Sequence, residues 1–123
     1  MAVDNTYLLA GTCQLSVNGT SYLVAGDFGY SPAKVKRESL TGKDGVHGYK
    51  EEPVPGYIKA KLRDSGGLTV AQLNQMTNVT VTLQLANGKN IVGRNMWTVD
   101  FPEVDSVEGT IDAKWEGPSV EEA

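Results

Sequence analysis

The single histidine of this chain, His47, is the first residue to consider for acid–base chemistry. Asp44 and Ser39 precede it closely, so the residue types of a serine-hydrolase triad occur in one short stretch. The flanking sequence lacks the Gly-x-Ser-x-Gly turn that exposes a nucleophilic serine. We therefore predict that His47 makes a hydrogen bond or a stacking contact in a loop, and we assign no catalytic residue.

The sequence contains few residues that suit a metal or nucleotide site. Cys13 and His47 lie far apart, and zinc sites need several such ligands at short spacing. Asp44 and the pair Glu51–Glu52 have carboxylates for a hard cation, but not at EF-hand spacing. Both Gly-Lys pairs lack the Ser or Thr that must follow in a Walker A motif. We predict no metal, cofactor or nucleotide.

One stretch, Tyr57 to Arg63, combines an aromatic residue with Lys59 and Lys61, as nucleic-acid surfaces of OB-type barrels do. The chain is acidic overall, with a net charge of −4 and a pI near 4.9, and it has no cluster of aromatic residues for base stacking. A solvated strand face is the preferred interpretation. A nucleic-acid-binding β-barrel and a small-molecule-binding barrel or enzyme remain as alternatives.

The length of 123 residues predicts one domain, spanning residues 1–123, and the 14 glycines favour a turn-rich β protein. The only cysteine, Cys13, excludes an intrachain disulfide and is expected to be a buried small hydrophobe. The N-terminus lacks the basic region of a signal peptide, and no window approaches about 18 apolar residues, so we expect no membrane span.

Alternation of apolar and polar residues predicts about seven strands. Asn-Gly pairs at residues 18–19 and 87–88 predict two tight hairpins. Thr69 and Gln72 form a capping box, so Thr69 to Met76 is predicted as the one helix. The predicted strands cover residues 11–17, 20–25, 33–40, 57–63, 78–85, 89–99 and 107–117.

The stretch from Thr41 to Pro55 shows no apolar period and is predicted to be an extended loop. Connections this long are uncommon in compact domains and are usually functional or disordered. If the strands at 33–40 and 57–63 pair across it, two lysine-bearing rows fall on one sheet face, and acidic groups should then lie nearby. Residues 26–32 are predicted to break the chain, and both termini are expected to be flexible, with an arm at 1–10 and a frayed tail at 118–123.

Five segments together resemble the tail tube proteins of Mu-like contractile-tailed bacteriophages, and DGVHGYKE is the most specific of them. In chain order they are Val35–Leu40, Asp44–Glu51, Val81–Lys89, Gly93–Trp97 and Glu108–Gly117. The resemblance implies a mainly β phage tail-tube fold, with two packed antiparallel sheets in a sandwich or partly open barrel and one short flanking helix.

The resemblance also implies a non-enzymatic, structural virion protein that assembles in the host bacterial cytoplasm. Six copies would close into a ring, and rings would stack into the inner tail tube through which DNA is ejected without sequence-specific binding. The implied partners are further copies of the chain and the tail sheath, tape-measure and baseplate proteins. A tube subunit of a tailocin or type VI-like device is the alternative.

In such tubes the long loop reaches neighbouring subunits, and we assign that role to residues 40–57 as an assembly arm. The apolar residues that punctuate the loop need a surface to pack on, and a second copy would supply it. The predicted inter-subunit contacts are Leu40, Gly42, Asp44, Gly45, Val46, His47, Gly48, Tyr49, Lys50, Val54 and Tyr57.

Overall fold

The computed structural model describes residues 13–64, 68–100 and 102–122, and within these ranges the chain forms eleven strands and one helix. The arm predicted at residues 1–10 lies outside the described residues. The elements are β1 (Cys13–Val17), β2 (Thr20–Tyr22), β3 (Val24–Ser31), β4 (Val35–Gly42), β5 (Gly45–Pro53), β6 (Gly56–Arg63), α1 (Val70–Asn74), β7 (Val79–Leu85), β8 (Asn90–Thr98), β9 (Val104–Asp105), β10 (Thr110–Gly117) and β11 (Ser119–Glu122).

Nine strands form one antiparallel sheet in the order β2-β1-β7-β8-β10-β6-β3, with β11 beside β8 and β9 beside β10. The sheet folds into two layers because β8 pairs with β7 over most of its length and meets β10 only at Trp97 and Thr98. The predicted β-sandwich or partly open barrel with one short helix is confirmed. Its largest fully buried side chains include Trp115, Leu15, Ile58, Leu62, Leu73, Leu83 and Ile91.

Local signals in the sequence placed the turns and the helix correctly. Asn18 and Gly19 have positive φ angles of 50° and 86°, as a tight hairpin between β1 and β2 requires. At the start of α1, the Thr69 hydroxyl accepts a bond from the Gln72 N–H, and the Gln72 side chain accepts one from the Thr69 N–H. This capping box lets a helix of one turn form, and Leu73 anchors it in the core.

A bulge explains why β8 carries apolar residues at both alternations. Ile91 and Gly93 face the core, Asn95 takes a positive φ of 56°, and Met96 then faces the core at the opposite parity. A Cβ added at Gly93 would collide with the Met96 sulfur, so glycine makes room for the displaced side chain. The apolar residues at both parities of this strand follow from this change of parity.

Two predicted irregular segments are strands. Residues 26–32, predicted as a break, lie mostly in β3, which pairs with β6 through register shifts at Gly26 and Gly29. These shifts remove the alternation by which the strand would have been recognised. The predicted frayed tail contains β11, where Val120 is buried and Lys89 Nζ lies 2.9 Å from a carboxylate oxygen of Glu122. Cys13 is half-buried, and this burial raises the pKa of its thiol.

The largest correction concerns the predicted loop at 41–55. Most of it is strand β5, which pairs with β4 in a separate two-stranded sheet. Residues 33–40 do not pair with 57–63, because β6 lies between β3 and β10. Among the described residues no helix is long and apolar enough to cross a membrane.

Candidate assembly site

The hairpin β4–β5 is the most unusual feature of the described structure. Every residue of both strands is exposed, from Val35 to Gly42 and from Gly45 to Pro53. At about 3.3 Å per residue, strands of this length extend roughly 25 Å. An isolated two-stranded hairpin is at best marginally stable in water, because it has no core. The hairpin is therefore expected to need a second surface.

Opposite charges face each other across the hairpin. Arg37 Nε lies 3.0 Å from a Glu51 oxygen, and Lys50 Nζ lies 3.4 Å from a Glu38 oxygen. Lys36 is in register with Glu52. Each exposed pair contributes at most about 1 kcal/mol, but together they specify the register. The two lysine-bearing rows are not on adjacent strands, and Lys36, Arg37 and Lys50 each face a carboxylate across the hairpin.

The tip of the hairpin is organised around His47. Its Nε2 lies 2.6 Å from Oδ1 of Asp44, and this hydrogen bond is the main cause of the lowered pKa of the Asp44 carboxyl group. A Cβ at Gly42 would lie 2.5 Å from Cε1 of His47, so only glycine lets the ring fold over the turn. Ser39 is opposite Tyr49 in the register, and His47 is hydrogen-bonded to Asp44. The Asp44–His47 bond is therefore a contact that stabilises the turn of the hairpin.

The two faces of the hairpin differ in chemistry. Residues opposite each other in an antiparallel pair share a face, and successive residues alternate. We call the face with Val35, Val46 and Tyr49 the Tyr49 face; these side chains are 39%, 77% and 61% exposed. The other face, the Leu40 face, carries Leu40 beside the Glu38–Lys50 pair. The Tyr49 face therefore presents most of the exposed apolar surface.

The structure brings together nine of the eleven predicted contact residues on this hairpin, namely Leu40, Gly42, Asp44, Gly45, Val46, His47, Gly48, Tyr49 and Lys50. The other two lie elsewhere. Val54 is at the base, where its N–H donates to the carbonyl of Lys34 at 3.0 Å. Tyr57 is in β6, with its ring centre 4.9 Å from Lys114 Nζ. The prediction did not include Val35 and Arg37, which lie on the Tyr49 face.

The basic row on β6 is only partly balanced by its neighbours on β10, because Lys59 is in register with Lys114 and Arg63 with Thr110. Lys61 is in register with Asp112, at 3.8 Å between the charged atoms. Lys114 lies 3.9 Å from Asp100 and 3.7 Å from Glu116. The face therefore carries mixed charge and is not the uninterrupted basic stripe that holds a phosphate backbone. In the described part of the chain, no three His, Cys, Asp or Glu side chains are placed to hold a metal ion.

Comparison with known proteins agrees with this architecture. A family model described as phage tail tube protein matches residues 7–122. The tail tube protein of Escherichia phage Mu is 26% identical over 98 residues, which cover 80% of this chain and 82% of the relative. The resemblance to Mu-like tail tube proteins is thus confirmed.

A solved structure shows the same fold at low sequence identity. It is the sheath/tube terminator of an extracellular contractile injection system, PVC, in its extended state, determined by cryo-electron microscopy. The TM-score is 0.55 at 14% identity, with 90% of this chain and 92% of the other covered. The match of the family model over nearly the whole sequence establishes that this chain belongs to the phage tail tube protein family and is a structural component of the virion tail.

Proposed function

We propose that this chain is the repeating subunit of a tail tube, in which six copies close into a ring and rings stack around a channel for DNA ejection. The family match supports the structural role. The observation that carries the proposal of assembly is the hairpin β4–β5, which is exposed along its whole length and has no core of its own. Contact with another copy would complete it.

Ring closure would also solve the problem of sheet edges. In the described residues, β2 and β3 are the outer strands of the main sheet, and the hairpin adds two more edges. Open edges pair readily with other chains, and closure of a sheet around an axis removes them. We infer that edge pairing between copies forms the ring, with the hairpin lying against a neighbour.

The charge suits passive conduction of DNA. Each copy carries a net charge of −4, so six copies carry −24. Lys61 and Lys114 lie near carboxylates, which limits their attraction for phosphate groups. A duplex would pass such a wall without sequence-specific binding. The proposed role is non-enzymatic, and the proposed partners besides further copies are the tail sheath, tape-measure and baseplate proteins.

Negative-stain electron microscopy of the concentrated purified protein tests this proposal. We expect rings or tubes with a central hole. A monomer at every concentration, together with salt-dependent DNA binding at moderate salt, would instead favour a nucleic-acid-binding barrel.

A tube subunit of a contractile device without a genome is the second candidate. It is favoured by the structural similarity to a component of an extracellular contractile injection system. Nuclease-protected DNA in particles purified with their sheath supports the phage role. Sheathed particles that contain no DNA, produced by a locus without capsid genes, support the second candidate.

A further inference from the structure

The hairpin leaves the body at one end of β6. At this end Gly56 pairs with Gly117, Tyr57 pairs with Ser31, and the chain passes through residues 32–34 and 54–55 to and from the hairpin. At the opposite end, Arg63 pairs with Thr110. At about 3.3 Å per residue, the two ends of this strand are roughly 25 Å apart. The body therefore has a hairpin end and a far end.

The far end has its own exposed apolar residues. Leu23, Val104 and Val107, which we call the end patch, are 68%, 47% and 91% exposed. The Leu23 carbonyl accepts the Arg63 N–H at 2.8 Å, which places Leu23 beside the end of β6. Val104 pairs with Ile111 on β10, one residue from the partner of Arg63.

The position of Val107 is fixed by its turn. A carboxylate oxygen of Asp105 accepts the N–H groups of Val107 and Glu108 at 3.0 and 3.2 Å, and the Gly109 N–H donates to the Asp105 carbonyl. The main chain on both sides of Val107 is thus held by hydrogen bonds. An almost fully exposed valine on such a turn is suited to contact a partner.

Charge at the two ends permits close approach. The far end carries four carboxylates within residues 63–64 and 103–108, and one basic residue, Arg63. The hairpin carries equal numbers of basic and acidic residues between positions 35 and 53, and Lys43 is at its tip. The hairpin can therefore approach the acidic far end of another copy without net repulsion, with Lys43 foremost.

We propose that the Tyr49 face of the hairpin of one copy docks on the end patch of the next copy along the tube axis. This inference rests on the proposed tube function and names the surfaces that would join successive rings. The contact is heterologous, because two different surfaces meet, so each added ring leaves a hairpin end and a far end free for further stacking. One such contact is small, but the six contacts between two rings would act together.

Matched aspartate substitutions test the face and the patch. Tyr49→Asp and Val107→Asp should leave rings that do not stack into tubes, because each puts a charge into the proposed apolar contact. Gln84→Asp on β7, outside the hairpin and the end patch, is the control and should form tubes. Circular dichroism must show that each variant is folded.

The outcomes separate this inference from the proposed function. Tubes of normal length from Tyr49→Asp or Val107→Asp, or an equal loss of tubes from Gln84→Asp, would overturn the docking surfaces while the tube function stands. A wild-type protein that forms neither rings nor tubes would overturn both.

Cross-linking of a mixture of two cysteine variants tests the head-to-tail geometry directly. In a Cys13→Ser background, Val46→Cys chains and Val107→Cys chains are assembled separately and as a mixture, then treated with a short bismaleimide. We expect cross-linked dimers in the mixture and only traces in either variant alone. Dimers from Val46→Cys alone would mean that two tips meet, and an absence of dimers in the mixed tubes would show that the tip is elsewhere; either result contradicts the proposal.

Discussion

Replacement of the hairpin by a short turn should separate folding from assembly. The N–H of Val54 donates to the carbonyl of Lys34 at 3.0 Å, so the chain ends left by deletion of Val35–Pro53 are already adjacent. An Asn-Gly pair can join them as a two-residue hairpin turn. None of the buried apolar side chains in the described ranges comes from the deleted segment, so the core should remain intact.

The expected change in stability follows from loop closure. Shortening a connection from 19 residues to two lowers its closure entropy by (3/2)RT ln(19/2), or about 2 kcal/mol for a fully flexible loop. The hairpin is partly ordered, so this is an upper limit. We expect the free energy of unfolding of the monomer to be unchanged or raised by up to about 2 kcal/mol.

Urea denaturation followed by tryptophan fluorescence measures this change, because Trp115 is fully buried in the core. The same sample, concentrated and viewed by electron microscopy, should contain no tubes. A loss of several kcal/mol in the unfolding free energy would show that the hairpin is part of the fold. Tubes like those of the wild type would show that it is not the assembly element.

Three further predictions concern single sites. Lys43→Glu and Glu103→Lys should each weaken tube formation, and the double variant should recover part of it; no recovery would argue against contact between tip and far end. Gly93→Ala should lower the unfolding free energy by about 1–3 kcal/mol, because its methyl group overlaps Met96; an unchanged denaturation midpoint would contradict this. The lowered pKa of Asp44 implies that its bond to His47 stabilises the hairpin at pH values above the ordinary pKa of 3.8, and that this stabilisation is lost as the pH falls through the lowered pKa. Amide exchange at the tip of the hairpin should therefore rise in that pH range. The Asp44→Asn variant should not show this pH dependence.

Local chemistry made much of the body predictable. The Asn-Gly turns and the capping box depend on a few adjacent residues, and strands such as β7 and β10 alternate because one face is buried within the same chain. The bulge at Asn95 and the register shifts in β3 broke that alternation and hid the true pattern. Apolar alternation in the sequence reports which side chains are buried, and a bulge or register shift changes the parity of the buried residues.

The hairpin was missed for a related reason. The two residues between its strands are Lys43 and Asp44, which are not the Asn-Gly or Asp-Gly pair typical of tight hairpins. The flanking strands have no apolar alternation, because neither face is buried by this chain. The apolar residues that remained, Val46 and Tyr49, led to the prediction of an interaction element, and that prediction does not depend on the secondary structure of the segment. A strand whose faces are not buried by its own chain shows the composition of a loop.

A cryo-electron microscopy reconstruction of the assembled protein tests the central claim most directly. The account predicts a ring of six copies in which β4–β5 lies against neighbouring subunits, with Tyr49 covered and Val107 in contact with the next ring. A reconstruction in which the hairpin remains exposed to solvent on every face would contradict it.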